Sequence, residues 1–256
     1  MELNYKKYGE QGEPLLILHG LFGMLDNWAT LGRKFSDHFQ VYTIDQRNHG
    51  KSPHSQAMNY EIMANDLAEF IEQHQLSEAN IIGHSMGGKV AMQFAYLYPH
   101  LTKKLIVVDI APKTYAGNHN HIFEAMESLN LNEIESRKQA DEALTPSLPN
   151  LGVRQFILKN LARNNHNNYY WRPAVSYIKA NYSTIAGGVE RLSGSFNAST
   201  LFIRGGKSDY ILDVDWPGIK SQFPNATLTQ IEDAGHWVHA EKPMEFYEAA
   251  LNFFIL

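Results

Sequence analysis

A serine held between glycines, Gly83-His84-Ser85-Met86-Gly87-Gly88, directly follows the apolar pair Ile81-Ile82 and directly precedes a helical pattern. In that context G-x-S-x-G predicts a tight strand-to-helix turn that points the Ser85 hydroxyl out of a sheet, the flanking glycines removing side chains that would clash. The chemistry this suggests is nucleophilic catalysis. The backbone N–H of Met86 would fall at a helix N-terminus, where the local dipole favours developing negative charge. A hydroxyl is a weak nucleophile at neutral pH, so it needs a base and a group to orient that base. The expected base is His236, in Asp233-Ala234-Gly235-His236-Trp237 near the C-terminus, where Gly235 gives the loop freedom to present the imidazole. His239 is the rival. Two acids are candidates for orienting it: Asp109, which ends Leu105-Ile106-Val107-Val108-Asp109, and Asp209, in Gly205-Gly206-Lys207-Ser208-Asp209. Either gives the chain order Ser, acid, His at the carboxyl ends of strands. The hydroxyl of Ser208 is placed to bond to the same site. A second oxyanion donor is expected from His19-Gly20-Leu21-Phe22-Gly23: the N–H of Leu21, with Phe22 as the fallback.

Such a site needs a rigid frame, and the chain supplies a succession of short apolar runs. Leu15 to Leu18, Val41 to Ile44, Asn80 to Ile82, Leu105 to Val108, Thr200 to Ile203 and Leu228 to Ile231 read as strands, most of them apolar throughout, as strands covered on both faces are. Helical patterns lie between them. Tyr60, Met63, Leu67, Phe70 and Ile71 recur at helix spacing behind Asn59, a candidate N-cap; Val90, Phe94, Leu97 and Tyr98 stop at Pro99; Phe246, Tyr247, Leu251 and Phe254 close the chain. The alternation predicts a doubly wound α/β sheet with right-handed crossovers. It lapses between residues 112 and 198, where helix-like pieces such as Ile122 to Leu129 and Val153 to Leu161 occur without convincing strands and Asn164 to Asn168 reads as a loop. A compact domain rarely carries a structureless loop of that length, so this stretch is expected to be a helical lid over the strand ends. The expected division is a core of residues 1–111 and 199–256 with a lid of 112–198.

Composition excludes several other classes. With 44% hydrophobic and 19% charged residues, the 256-residue chain is neither disordered nor fibrous. A net charge of -5 argues against nucleic acid as the main partner. With no cysteine there can be no disulfide, thiolate nucleophile or Cys-ligated metal. Before Leu15 to Leu18 no apolar stretch has the length of a signal or membrane span, so the protein is expected to be soluble and cytoplasmic.

The motifs together resemble the α/β-hydrolase superfamily. They are His19 to Gly23, Asp45-Gln46-Arg47-Asn48-His49-Gly50-Lys51-Ser52, Gly83 to Lys89, Val108-Asp109-Ile110-Ala111-Pro112, and Gly235-His236-Trp237-Val238-His239-Ala240-Glu241-Lys242-Pro243. Within the superfamily, the Arg-Asn-His-Gly turn and the Gly-His-Trp-Val-His-Ala-Glu-Lys-Pro ending resemble the group formed by YbfF-like bacterial esterases and their abhydrolase-domain-11 relatives. The resemblance runs nearly end to end and is weakest through the lid. It implies a serine esterase or thioesterase acting on small acyl substrates, acyl-CoA included, with no metal or cofactor. It also implies Asp109 as the triad acid, with Ser208 joining the cluster; Asp209, beside Ser208, departs from the group's pattern and stays in play.

Substrate contacts are less legible. Leu21, Phe22 and Met86, with the lid aromatics Tyr169, Tyr170 and Trp171, suggest an apolar acyl pocket, and Trp237 adjoins the expected base. Arg47 and Lys51 could meet an anionic substrate tail, although Arg47 could equally brace loops by pairing with a carboxylate. His119 and His121 have no further ligand cluster near them in sequence and read as surface histidines rather than a zinc site. The same triad could serve carbon–carbon or lactone cleavage, or cofactor-free peroxidation. A ligand-binding protein on a hydrolase scaffold is the non-enzyme reading, and oligomeric state is not legible.

Overall fold

The structure is a computed structural model that describes residues 1–189 and 194–255. Nine strands and eleven α-helices are found among them. The strands are β1 (Tyr5–Tyr8), β2 (Glu13–Leu18), β3 (Phe39–Ile44), β4 (Ala79–His84), β5 (Thr102–Val108), β6 (Leu161–Arg163), β7 (Tyr169–Trp171), β8 (Thr200–Gly205) and β9 (Ala226–Ile231). The helices are α1 (Ala29–Phe35), α2 (Tyr60–Gln73), α3 (Met86–Leu97), α4 (Asn120–Ser128), α5 (Arg137–Leu144), α6 (Leu151–Leu158), α7 (Val175–Ala180), α8 (Tyr182–Ala186), α9 (Trp216–Gln222), α10 (Val238–Glu241) and α11 (Pro243–Ile255).

Seven strands form one sheet in the order β1-β3-β2-β4-β5-β8-β9, parallel throughout except for β1 against β3. Alternation along each strand divides the core in two. Leu16 and Leu18 face one side with Ile81, Leu105 and Val107, and there they meet Leu67 and Phe70 of α2 and Val90 and Phe94 of α3. Leu15 and Ile17 face the other side with Ile82, Ile106 and Val108, and meet Phe35 of α1 and Phe246 and Phe254 of α11. Both faces are covered over the middle of the sheet, so the central strands carry consecutive apolar residues there, as in Leu15 to Leu18 and Leu105 to Val108. At the edge, β9 also carries exposed polar residues. Each such buried side chain is worth about 1.5 to 3 kcal/mol.

The ends of α2 and α3 follow their local chemistry. The Asn59 side chain accepts a hydrogen bond from the Ile62 N–H at 2.7 Å and caps α2. α3 stops just before Pro99. Sequence periodicity does not reveal β1, whose Tyr-Lys-Lys-Tyr run is half-exposed at the sheet edge, where lysines are tolerated.

Between β5 and β8 the chain leaves the sheet and forms α4 to α8. Two short strands interrupt them, which corrects the expectation that this stretch holds none. β6 and β7 pair antiparallel, Leu161 opposite Trp171 and Arg163 opposite Tyr169. The Asn-rich run is their turn, closed by the Asn164 N–H to the Asn168 carbonyl at 2.9 Å, with Asn167 at a φ of 64° that asparagine tolerates. No helix among the described residues is long and apolar enough to cross a membrane.

Candidate active site

Ser85 is the bend between β4 and α3, with φ 52° and ψ -117°, a conformation L-residues avoid. Its neighbours leave no room to relax. A Cβ on Gly83 would lie 2.3 Å from the Gly87 carbonyl oxygen, and one on Gly87 would lie 2.6 Å from the carbonyl oxygens of Leu18 and His19. The Ser85 N–H is anchored to the Val108 carbonyl at 3.0 Å. Sheet and helix together therefore fix the hydroxyl at the carboxyl ends of the strands.

The imidazole of His236 stands beside it. Its Nε2 is 3.0 Å from Ser85 Oγ, and its Nδ1 is 2.7 Å from Asp109 Oδ2. Donation of the Nδ1 proton to Asp109 leaves Nε2 free to accept from the Ser85 hydroxyl. Asp109 is fully buried at the end of β5, with φ 50°. Its Oδ1 accepts from the Gly205 N–H at 3.1 Å, and its Oδ2 accepts also from Ser208 Oγ. Three donors thus hold a buried carboxylate in one orientation, which offsets the cost of taking it out of water.

The structure separates the two candidate acids. Asp209 is exposed and reaches the wall of a cavity near Ser85, but makes no hydrogen bond to His236; the shorter path runs from the end of β5. Ser208 joins the cluster through Asp109. His239 is buried, stacked on Trp28 with ring centroids 4.0 Å apart, and burial lowers its pKa to about 3. It makes no hydrogen bond to Ser85.

Leu21 and Phe22 follow β2 on the loop beside Ser85. A Cβ on Gly20 would sit 2.9 Å from His84 Nδ1 and 3.2 Å from Ser85 Cβ, so only glycine lets this backbone come so close. Leu21 lines both cavities that open at Ser85, Met86 the smaller one, and Phe22 and Trp237 the larger one. As the first residue of α3, Met86 has a backbone N–H without an intrahelical acceptor.

Several expected contacts fall elsewhere. Arg47 does not meet the cavities: it is buried in a two-pronged pair with Asp66, Nε to Oδ2 at 2.6 Å and Nη2 to Oδ1 at 2.7 Å, and bonds to the Ala57 carbonyl. It braces the loop after β3 against α2. Lys51 is exposed and lines a separate polar hollow with Asp45 and Arg172. Tyr169, Tyr170 and Trp171 sit in the β6–β7 hairpin, away from both cavities, with Trp171 Nε1 donating to the Met126 carbonyl at 3.0 Å. The aromatic side chains from the inserted stretch that do line the cavities at Ser85 are Phe156 of α6, 5.5 Å from the Trp237 ring, in the larger, and Tyr115 and Tyr182 in the smaller. His121 is exposed as expected, whereas His119 is half-buried and lines both cavities; its Nδ1 is 2.6 Å from the Tyr182 hydroxyl, and burial lowers its pKa to about 4. Among the described residues no group of three or more His, Asp and Glu side chains is arranged to hold a metal ion.

Two neighbours of His236 take no role from the motifs: Tyr210 lies outside them, and His84 fills an open position of G-x-S-x-G. Tyr210 stacks on its ring at 3.8 Å and 17°, and is itself held by Tyr115, whose hydroxyl donates to the Tyr210 carbonyl at 2.6 Å. His84 is buried, so its pKa lies well below the usual value, and its neutral Nε2–H donates to the His236 carbonyl at 2.9 Å. Ring and backbone of His236 are thus fixed independently.

A parallel sheet with a strained serine at a strand–helix bend, within hydrogen-bond reach of a histidine–aspartate pair, defines a hydrolase of the α/β type. The chain matches the family described as alpha/beta hydrolase fold over residues 13–243, and it belongs to that family. Its relatives include Esterase YbfF of Escherichia coli, 37% identical over 248 residues that cover 95% of each chain. The sn-1-specific diacylglycerol lipase ABHD11 of Danio rerio is 36% identical over 263 residues, covering 99% of this chain and 82% of that one. Among solved structures, a marine microorganism esterase superposes with a TM-score of 0.97 at 45% identity, covering 98% of this chain and 99% of the other. The chain is therefore a hydrolase with esterase and lipase relatives.

Proposed function

We propose that the protein is a serine carboxylesterase that cleaves small acyl esters through an acyl-enzyme on Ser85. The observation that carries the reading is the continuous chain from Ser85 Oγ through His236 to Asp109, at 3.0 and 2.7 Å. His236 takes the Ser85 proton as the oxygen attacks the ester carbonyl, and the oxyanion rests on the N–H groups of Leu21 and Met86. His236 then gives that proton to the departing alkoxide, Asp109 stabilising the imidazolium in between. Water deprotonated by the same histidine hydrolyses the acyl-enzyme and restores Ser85.

The identical sequence of steps serves thioesters, acyl-CoA included, because a thiolate leaves at least as readily as an alkoxide. Residues 112–198 act as a lid in this reading: His119, Ile122, Val153 and Phe156 come from that stretch and enclose the space over Ser85. Phe22 and Trp237 supply apolar contact for the substrate.

Hydrolysis of p-nitrophenyl acetate and butyrate by the wild type and by Ser85→Ala tests the proposal. The variant should lose activity by about three orders of magnitude or more, down to the background that binding and the oxyanion donors sustain. Equal rates in the two proteins would remove the basis of the reading.

A further inference from the structure

Ser85 stands where two cavities meet. The larger, about 500 Å³, has His236 and Trp237 in its wall; the smaller, about 240 Å³, has Met86 and Lys89 of α3 with Tyr60, Tyr115 and Tyr182. Given Ser85 as the nucleophile, on which this subsection rests, the chemistry decides which arm of an ester each cavity receives. His236 must reach the leaving oxygen to protonate it, so the alcohol lies on the His236 side, in the larger cavity. The acyl chain then extends the other way, past Met86 toward Lys89.

Lys89 is buried to 2% exposure on the first turn of α3. Of its three donor hydrogens, two go to the carbonyls of Gly187 and Ala186, and its ammonium lies 4.8 Å from the Tyr115 ring and 5.6 Å from the Tyr60 ring. Among the described residues no carboxylate is within ion-pair distance of it. Lys113, the other cation in this wall, is committed to Asp215 at 2.6 Å, and Asp209 in the same wall is exposed. Burial lowers the Lys89 pKa to about 7, because an ammonium surrounded only by dipoles and rings lacks the counter-charge that repays its desolvation. An anion entering the smaller cavity would supply it.

We infer that Lys89 is the specificity-determining end of the acyl cavity, receiving an anionic group on the substrate, and that the preferred substrates are half-esters of short dicarboxylic acids. The esterified carbonyl lies at Ser85 and the free carboxylate accepts from the Lys89 ammonium. The ester C–O bond breaks as the Ser85 Oγ–C bond forms, the alkoxide leaves with the proton from His236, and water releases the dicarboxylate. One ester and one water give one alcohol and one acid.

The test compares ethyl hydrogen succinate with its neutral isostere, ethyl 4-methylpentanoate, by ethanol release. The wild type should favour the half-ester in kcat/KM by on the order of tenfold to a hundredfold, the worth of one hydrogen bond between charged groups, expressed mainly in KM. Lys89→Met and Lys89→Gln should bring the ratio to about one or below, and Lys89→Arg should keep it well above. A lysine that merely ties α3 to α8 would lower both rates together and leave the ratio intact. If the wild type cleaves both esters with a ratio near one, the inference is overturned while the esterase reading stands, and this holds even where the variants fail to fold. If either neutral variant keeps the wild-type preference, Lys89 is not the receptor. If neither ester is cleaved and p-nitrophenyl acetate is also untouched, both readings fall.

Discussion

Asp109 differs from an ordinary carboxylate at a strand end in the number of donors that converge on it. Gly205 N–H, Ser208 Oγ and His236 Nδ1 all point at its two oxygens, so its orientation is fixed before any substrate arrives. Asp109→Asn would place an amide NH₂ or carbonyl opposite Nδ1, disturb the imidazole tautomer and forfeit stabilisation of the imidazolium. By comparison with the same change in a serine protease, turnover should fall by up to ~10⁴ with the fold intact. Asp209→Asn should change turnover by less than about threefold, since Asp209 makes no hydrogen bond to His236. Steady-state kinetics on a p-nitrophenyl ester, with circular dichroism to confirm folding, decides between them; a harmless Asp109→Asn would break the assignment. Sequence alone cannot make this distinction. Both acids close strands that are neighbours in the sheet, and only the course of the His236 loop determines which one Nδ1 meets.

At the scale of the element, the bend from β4 to α3 was legible because its constraint is local: a glycine on each side of Ser85, an apolar run before it, a helix after it. The six core strands and three long helices were legible for the same reason, all but β9 burying a continuous apolar face. What stayed hidden has its cause elsewhere. β1 is an exposed edge, the β6–β7 strands are three residues each, and His119, Tyr210 and Lys89 take their roles from partners distant in sequence, such as Tyr182 and His236. The pairing of Arg47 with a carboxylate, by contrast, is one of the two roles read from the sequence. The bend also yields a paired prediction. Gly83→Ala forces a Cβ to within 2.3 Å of backbone at Gly87, so β4 and α3 must separate; both Tm and esterase activity should drop, the stability by about 1 to 3 kcal/mol. Gly218→Ala, in exposed α9, meets nothing within 4 Å and should stabilise the protein by about 0.5 to 1 kcal/mol without altering kcat/KM. Urea unfolding of the two variants beside the wild type measures both effects, and similar shifts would mean that the bend is far more compliant than its contacts indicate.

The whole molecule responds to acid through the neutral histidines it encloses. Burial lowers the pKa of His19 to about 4, of His49 and His239 to about 3, and of His84 well below its usual value. Three of them brace loops around the site: the His19 imidazole bonds to the backbone of Gly20 and Gln46, His49 to that of Arg47, and His84 to that of His236, while His239 packs on Trp28. In the unfolded chain each would take up a proton near pH 6.5, whereas in the folded protein His19, His49 and His239 resist until pH 3 to 4 and His84 resists well below its usual range. The stability these groups contribute is therefore fully present above pH 6.5 and is lost as pH falls toward their folded values. Each steepens the loss by as much as about 1.4 kcal/mol per pH unit, so four together approach about 5 kcal/mol per unit, against a total stability of about 5 to 15 kcal/mol. Urea midpoints should accordingly hold steady from pH 8 to 7 and decline sharply between pH 6 and 5, with cooperative unfolding before pH 4. His239→Gln, which removes one titrating group while keeping a neutral side chain over Trp28, should make that decline shallower by about one such increment, whatever its effect at pH 7. A midpoint that stays level from pH 7 to 5 would mean that these imidazoles gain protons as readily inside the fold as outside it. The tie between the buried histidines and the acid limit of the site would then be lost.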